Sequence, residues 1–442
     1  MRRDRTLDRA LKSLENVSLA RVSGRLVRVS GMLLECTGCN IATGQRCQIE
    51  QANGQLLDAE VVGFNRDLTW LMAFKPPLGL KSGARVFPSR KHSELRIGPA
   101  WLGRVFNGLG EVIDGKAPPG GDALLPLIPP ALHPLQRKPV SEALDVGVSA
   151  INGLLTIGKG QRIGLMAGSG VGKSMLLGMM TRGTTAQVVV VGLTGERGRE
   201  VQEFIEHVLQ AQGMAKAVVI AAPADESPLM RLRATELCHA VAAWFRDAGQ
   251  DVLLLVDSLT RYAMAQREIA LSLGEPPANK GYPPSAFAML PRLVETAGNS
   301  DGCGTMTAIY SVLTEGDDQQ DPIADCARAV LDGHIVLSRE LAEAGHYPPI
   351  DIGQSISRCM QQITTRTQQQ AAQRLKRWQA DYAAIKPLIS LGGYVPGADL
   401  AVDEALRQQP AIAHFLCQDA GQPVSLSQAQ QQLHQLAQRG EG

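Results

Sequence analysis

The segment Gly164-Leu165-Met166-Ala167-Gly168-Ser169-Gly170-Val171-Gly172-Lys173-Ser174 leaves an apolar run, crosses a glycine-dense loop and enters Met175-Leu176-Leu177. A strand, a loop of this spacing ending in Lys-Ser, and a helix are the context that a phosphate-cradling P-loop requires. Glycine lets successive backbone N–H groups converge on an anion, and the helix N-terminus adds its positive dipole end. The cradle is Gly168, Ser169, Gly170, Val171 and Gly172. Lys173 is placed to neutralise phosphate charge, and the Ser174 hydroxyl to ligate Mg²⁺. Ala167 stands where the strict pattern has Gly, which is compatible with the loop if that residue keeps strand-like dihedrals.

Such a loop needs a buried sheet behind it. Apolar, β-rich runs recur at 162–167, 188–193, 217–221, 252–256 and 305–312, with helical patterns between them. Strands apolar on both faces and separated by helices predict a parallel sheet in an α/β domain. Asp251-Val252-Leu253-Leu254-Leu255-Val256-Asp257 ends in a carboxylate, and open α/β sheets bind ligands at strand C-terminal ends. Asp257 is therefore a candidate Mg²⁺ carboxylate, with a helix N-cap as the competing reading. Val191-Gly192-Leu193-Thr194-Gly195-Glu196 is another strand running into a glycine turn. Glu196 is a candidate for orienting the attacking water, because phosphoryl transfer leaves the protein chiefly positioning and charge stabilisation to supply. A salt-bridged turn residue is its alternative.

The 442 residues exceed one typical core of roughly 150 residues, and three domains are expected. Leu7, Ala10, Leu11, Leu14 and Val17 recur at helical spacing, making 1–18 an amphipathic helix, packed on its own domain or docking a partner. Residues 19–92 show short alternating runs broken by Gly, Asn and Asp, the pattern of a small β-barrel. The turn-rich stretch 103–139 reads as a long irregular connection at the edge of the main domain. The nucleotide-binding domain with its entry linker is assigned to 93–358. The Gln- and Ala-rich residues 359–442, with Leu at helical intervals, are assigned to a helical domain.

Apolar residues at 44% and charged residues at 20% exclude general disorder. Lys plus Arg (44) balances Asp plus Glu (43), so no global field favours nucleic acid or an anionic membrane. The basic N-terminus is not followed by a signal-peptide core, and no run approaches the roughly 18 apolar residues of a membrane span. A cytoplasmic protein is expected. Cys36, Cys39 and Cys47 cluster without a fourth soft ligand, which favours reduced thiols over zinc.

Taken in order, GKGQRIGLMAGSGVGKS, VVGLTGERGREVQEF, LLLVDSLTRYAMAQREI, GYPPSAFAMLPRL and EGDDQQDPIADCARAVLDGHIVLSREL resemble the rotary-type ATPase superfamily. Within it the chain most resembles the export ATPases of flagella and type III secretion systems, and HPLQRKPVSEALDVGVSAINGLLTIG favours the flagellar branch. The resemblance is dense from Gly103 to Arg358 and architectural outside it. It implies a RecA-like core between an N-terminal barrel and a C-terminal helical domain. It also implies ATP hydrolysis with Mg²⁺, with Lys173, Ser174, Glu196 and Asp257 in the roles already given. Arg197 and Arg261 fall on family arginines near the nucleotide. Tyr347 falls where an aromatic stacks on adenine, a buried core ring being the alternative. Arg358 falls on the arginine that reaches a neighbouring subunit's site, where such a group accelerates hydrolysis about 10³- to 10⁵-fold.

One chain carrying both the P-loop and that arginine implies a homohexamer. The resemblance further implies a regulator on the N-terminal helix, a stalk-like protein in the ring channel near Gly281-Tyr282-Pro283-Pro284, and substrate–chaperone complexes fed to an export gate. Membrane association is expected to be peripheral, through those partners. The catalytic subunit of a proton-translocating rotary ATPase is an alternative. A hexameric RNA translocase is a further one, disfavoured by 4% aromatic content and a barrel region without an RNA-binding signature.

Overall fold

The structure is a computed structural model that describes residues 22–89, 95–121, 123–126, 132–314 and 321–438. The expected docking helix at 1–18 lies outside the described residues. The chain divides into two compact units between Glu94 and Leu95.

The first unit is a closed barrel of β1 (Gly24–Ser30), β2 (Leu33–Thr37), β3 (Arg46–Glu50), β4 (Leu56–Asn65), β5 (Leu68–Ala73) and β6 (Arg85–Pro88) in the order β1-β2-β5-β4-β3-β6. Alternation sends Leu26, Leu34, Cys36, Cys47, Ile49, Leu71 and Val86 inward to one apolar core. Closure by pairing of β6 with β1 leaves no sheet edge exposed.

The second unit contains β7 (Leu95–Ile97), β8 (Arg104–Phe106), β9 (Ala123–Leu125), β10 (Ala143–Leu144), β11 (Ile157–Gly158), β12 (Arg162–Ala167), β13 (Val188–Thr194) and β14 (Ala217–Ala222). It continues with β15 (Asp251–Asp257), β16 (Thr305–Leu313), β17 (Gly333–Leu337) and β18 (Ile350–Ser357). Eight of these form one sheet, ordered β18-β17-β12-β16-β15-β13-β14-β8. Every residue of β13 and β14 is buried, as a sheet covered on both faces demands.

One expectation changes here. The stretch 103–139 is not wholly irregular, because Arg104–Phe106 joins the main sheet parallel to β14. Arg104 anchors that strand, with Nε 2.7 Å and Nη2 3.0 Å from the two carboxylate oxygens of Asp114. The strands read from the sequence are parallel as expected, but the sheet extends beyond them: β18, not read from the sequence, runs antiparallel to β17 at the other edge.

Helices Arg366–Ser390, Leu400–Leu416 and Leu426–Gln438 form the C-terminal helical region. Leu375, Trp378, Phe415 and Leu433 share one hydrophobic cluster with Ile151, Leu154 and the sheet residues. Ser149 Oγ donates to the Phe415 carbonyl at 2.8 Å, pinning the two regions inside that core. Among the described residues no helix is long and apolar enough to cross a membrane.

Candidate functional site

The C-terminal ends of β12, β13 and β15 deliver the P-loop, Glu196 and Asp257 to one rim of the sheet. Ala167 is the last residue of β12, so the methyl in place of Gly sits in extended backbone. Gly172, the N-cap of helix Lys173–Gly183, has φ +99°, a region closed to most side chains. A Cβ there would lie 3.6 Å from Cε1 of Tyr347. The Val171 side chain is only 1% exposed in the core, so this residue offers the loop its backbone alone.

Lys173 Nζ lies 2.6 Å from Asp257 Oδ1 and 3.1 Å from Glu196 Oε1. Burial disfavours the charged ammonium, but the two carboxylates outweigh it and hold Lys173 above the usual lysine range. Burial pushes the Asp257 carboxyl up, opposed mainly by Lys173, and the Ser311 hydroxyl also donates to Oδ1 at 2.6 Å. Asp257 is not a helix cap: the Ser258 side chain performs that role, accepting from Arg261 N at 3.2 Å.

A cleft of about 600 Å³ opens here, lined by loop residues including Gly168, Ser169, Gly170, Gly172, Lys173 and Ser174. Glu196, Thr260, Arg261 and Arg339 form other parts of its wall. The Arg261 Nε is buried without a hydrogen-bond partner, and Arg339 Nη2 donates to the Ser169 carbonyl at 3.1 Å. Lysine, two arginines and loop N–H groups around a polar cleft suit a polyphosphate. The Ser174 hydroxyl and Asp257 carboxylate are hard oxygen donors suited to Mg²⁺. That ion commonly uses one or two protein ligands beside substrate phosphates, and no cluster of three or more His, Cys, Asp or Glu able to hold a metal occurs among the described residues.

Tyr347 is 49% exposed, which removes the core-ring reading and leaves an aromatic face beside the loop. Arg197 is not brought into the cleft: its side chain is 85% exposed, 3.9 Å from Glu200. Arg358 is also absent from the cleft wall. It is exposed, with Nη2 donating to the Arg328 carbonyl at 3.3 Å, and directly follows the end of β18 that pairs with Gly333. The P-loop lies by the opposite end, where Ile350 pairs with Leu337, so about 25 Å of extended strand separates Arg358 from it.

Arg339 and Ser311 were not singled out from sequence. Arg339 follows the C-terminal end of β17, where strand-end geometry places ligand groups. Ser311 is a polar residue inside the buried strand β16, and that interruption was its signal.

Residues 147–357 match the nucleotide-binding domain of the ATP synthase alpha/beta family, and residues 364–435 match the T3SS EscN ATPase C-terminal domain. The flagellum-specific ATP synthase of Pseudomonas aeruginosa is 52% identical over 424 residues, covering 95% of this chain and 94% of that protein. The chain belongs to the ATP synthase alpha/beta family, among the flagellar and type III secretion export ATPases. This export ATPase is also 46% identical over 418 residues to the type 3 secretion system ATPase of Xanthomonas euvesicatoria, with 94% of each chain covered. Its fold is similar to that of the assembled ATPase EscN from the enteropathogenic E. coli type III secretion system. The TM-score is 0.89 at 38% identity, covering 94% of this chain and all of that one. EscN has also been solved in complex with its central stalk EscO, with a TM-score of 0.86 at 37% identity and the same coverage.

Proposed function

We propose that this ATPase works as a homohexameric ring in a flagellar protein-export apparatus, hydrolysing MgATP to release substrates from chaperones and drive them towards an export gate. The observation that carries the reading is the placement of Arg358. Its own P-loop lies at the far end of the antiparallel edge strand, whereas an arginine supplied in trans would complete the site of an adjacent copy. Likeness to the assembled EscN supports the ring, and the relative solved with a central stalk supports a stalk-like partner.

In this reading the polyphosphate enters between loop N–H groups, Lys173, Arg261 and Arg339, and Tyr347 stacks on the base. Lys173 exchanges its carboxylate contacts for phosphate oxygens, which frees Glu196 to accept the hydrogen bond of a water and hold it in line. Ser174 and Asp257 would hold Mg²⁺, which would supply charge neutralisation of the phosphates. Arg358 from the neighbour stabilises charge on the departing group. The domains follow as barrel 19–92, nucleotide-binding domain 93–358 and helical domain 359–442, with 1–18 docking a regulator. The protein works in the cytoplasm beside the membrane, attached through its partners and without nucleic acid.

Mixing two inactive variants tests the ring. Glu196→Gln disables a subunit's own site and Arg358→Ala disables its neighbour's. Equal mixtures that assemble at random restore up to about a quarter of native ATPase activity, because a competent interface needs one good half from each subunit. Absence of any restoration in mixed rings confirmed by native mass spectrometry would overturn the trans assignment. Stimulation of the native enzyme by RNA would instead favour a translocase.

A further inference from the structure

The three clustered thiols of the barrel take no part in the nucleotide chemistry. Cys36 in β2 and Cys47 in β3 have 0% exposure, whereas Cys39, in the turn after β2, is half-buried. They are not arranged as a metal site. In Cys36-Thr37-Gly38-Cys39 the chain turns at Gly38, φ +73°, and Cys39 packs against the barrel core cluster that contains Cys36.

Cys39 also spans the seam that closes the barrel. Its Sγ donates to the Val86 carbonyl at 3.6 Å, and the Gly24 N–H donates to the same sulfur. A Cβ at Gly24 would stand 2.1 Å from Sγ, so only glycine admits this approach. Gly24 and Val86 are themselves partners in the pairing of β1 with β6, whose register holds two residue pairs, Gly24 with Val86 and Arg25 with Arg85. Backbone bonds from Leu26 N to the Ala84 carbonyl and from Gly83 N to the Leu26 carbonyl continue the seam, and Cys39 adds a side-chain link to this short pairing.

The sulfurs are unequal. Donation from Cys36, aided by Gly24 N–H, draws the Cys39 thiol down to about 7 against the opposing effect of burial. The same contact with Cys39, together with burial, pushes Cys36 far up, and burial lifts Cys47 to about 12. The half-buried sulfur is the one favoured to ionise, and the buried sulfur beside it in the same core is favoured to stay protonated. That is the division of labour between an attacking and a resolving thiol.

We propose that Cys36 and Cys39 form a redox-active dithiol that exchanges with low-molecular-weight disulfides, and that its oxidation loosens the β1–β6 seam. The Cys39 thiolate attacks one sulfur of the small disulfide, forming a mixed disulfide and expelling one thiolate. Cys36 then attacks Cys39 Sγ and displaces the second small thiolate, which leaves with the Cys36 proton. Two protein sulfurs are oxidised to a disulfide, and one disulfide is reduced to a thiol and a thiolate. The reduced sulfur links the seam as a thiol donating to Val86 or as a thiolate attracting Gly24 N–H; a disulfide sulfur has neither the proton nor the charge, so that link is lost on oxidation.

The test uses the full chain with exposed Cys303 and Cys417 replaced by Ser, treated with oxidised glutathione, quenched with acid and mapped by mass spectrometry. The proposal expects a Cys36–Cys39 disulfide, and in Cys36→Ser a persistent glutathione adduct on Cys39. Hydrogen exchange of peptides covering Gly24 to Ser30 and Arg85 to Pro88 should quicken about tenfold on oxidation and return with dithiothreitol, as local opening of the seam requires. An adduct that persists on Cys39 while Cys36 is present, a disulfide joining any other pair, or unchanged exchange across the seam would overturn it. The measurements on the Cys36-containing chain do not depend on whether the Cys36→Ser barrel folds.

Discussion

Lys173 and Asp257, 84 positions apart in sequence, meet as an ion pair with Nζ 2.6 Å from Oδ1 and both side chains largely withdrawn from water. The pair holds the loop after β12 against the end of β15 before any nucleotide arrives. Removing one partner strands a charge, whereas neutralising both does not. Lys173→Met should therefore lower the unfolding free energy by roughly 3 kcal/mol, and adding Asp257→Asn should recover part of that loss, the less buried Glu196 still lacking its lysine. Denaturant titration without nucleotide measures both changes, and neither variant should hydrolyse ATP.

Tyr347 offers an exposed ring beside Gly172. If that ring stacks on the base, Tyr347→Ala should weaken ATP binding about tenfold while Tyr347→Phe stays near native, since ring stacking on a base is worth roughly 1–3 kcal/mol. Titration with a fluorescent ATP analogue distinguishes the two. Equal loss in both variants would show that the hydroxyl matters rather than the ring.

Ser311 donates to Asp257 Oδ1 at 2.6 Å from within β16. Ser311→Ala removes a bond to a charged acceptor and should cost about 1.5–3 kcal/mol. Because that bond orients the carboxylate assigned to Mg²⁺, the Mg²⁺ concentration giving half-maximal activity should rise. Activity against Mg²⁺ concentration, with protein stability measured alongside, separates orientation from unfolding.

Asp114 accepts from Arg104 and from the backbone N–H groups of Lys116 and Val105, and these bonds hold its carboxyl well below the usual range. A carboxyl whose folded pKa is depressed contributes stability above its unfolded value of about 3.9, and loses that contribution as pH falls towards the folded value. Asp114→Asn should therefore lower the thermal midpoint at pH 7, and the gap from native should narrow below about pH 4. Differential scanning fluorimetry across pH 3 to 7 reads this window, and a gap that widened in acid would contradict it.

The site was legible where its chemistry is written in adjacent residues. The glycine spacing before Lys173 and Ser174, and the apolar runs ending near Glu196 and in Asp257, signal their geometry locally, and the structure brings Lys173, Ser174 and Glu196 to one cleft with Asp257 bonded to Lys173 behind it. Tyr347 was reached only through resemblance, because nothing in His346-Tyr347-Pro348 says that its ring will face Gly172. The arginines show the same limit. Arg197 adjoins Glu196 in sequence, yet as the N-cap of helix Gly198–Glu203 its side chain faces solvent. Arg261, in the first turn of helix Leu259–Ser272, lines the cleft instead. In the fold, β8 escaped notice because three residues among turns show no periodicity. The reversed strand β18 was not read from the sequence at all, and its apolar alternation carries no sign of strand polarity in any case.

That reversal makes β18 a connecting rod. One end is bonded beside the segment carrying Tyr347, the other leads into Arg358, and its hydrogen bonds to β17 resist stretching. A displacement of the ring segment that carries the strand along its own axis is therefore delivered as a displacement of the guanidinium about 25 Å away. With Arg358 completing a neighbour's site as proposed, two adjoining chambers would report their contents to one another by the travel of a single strand.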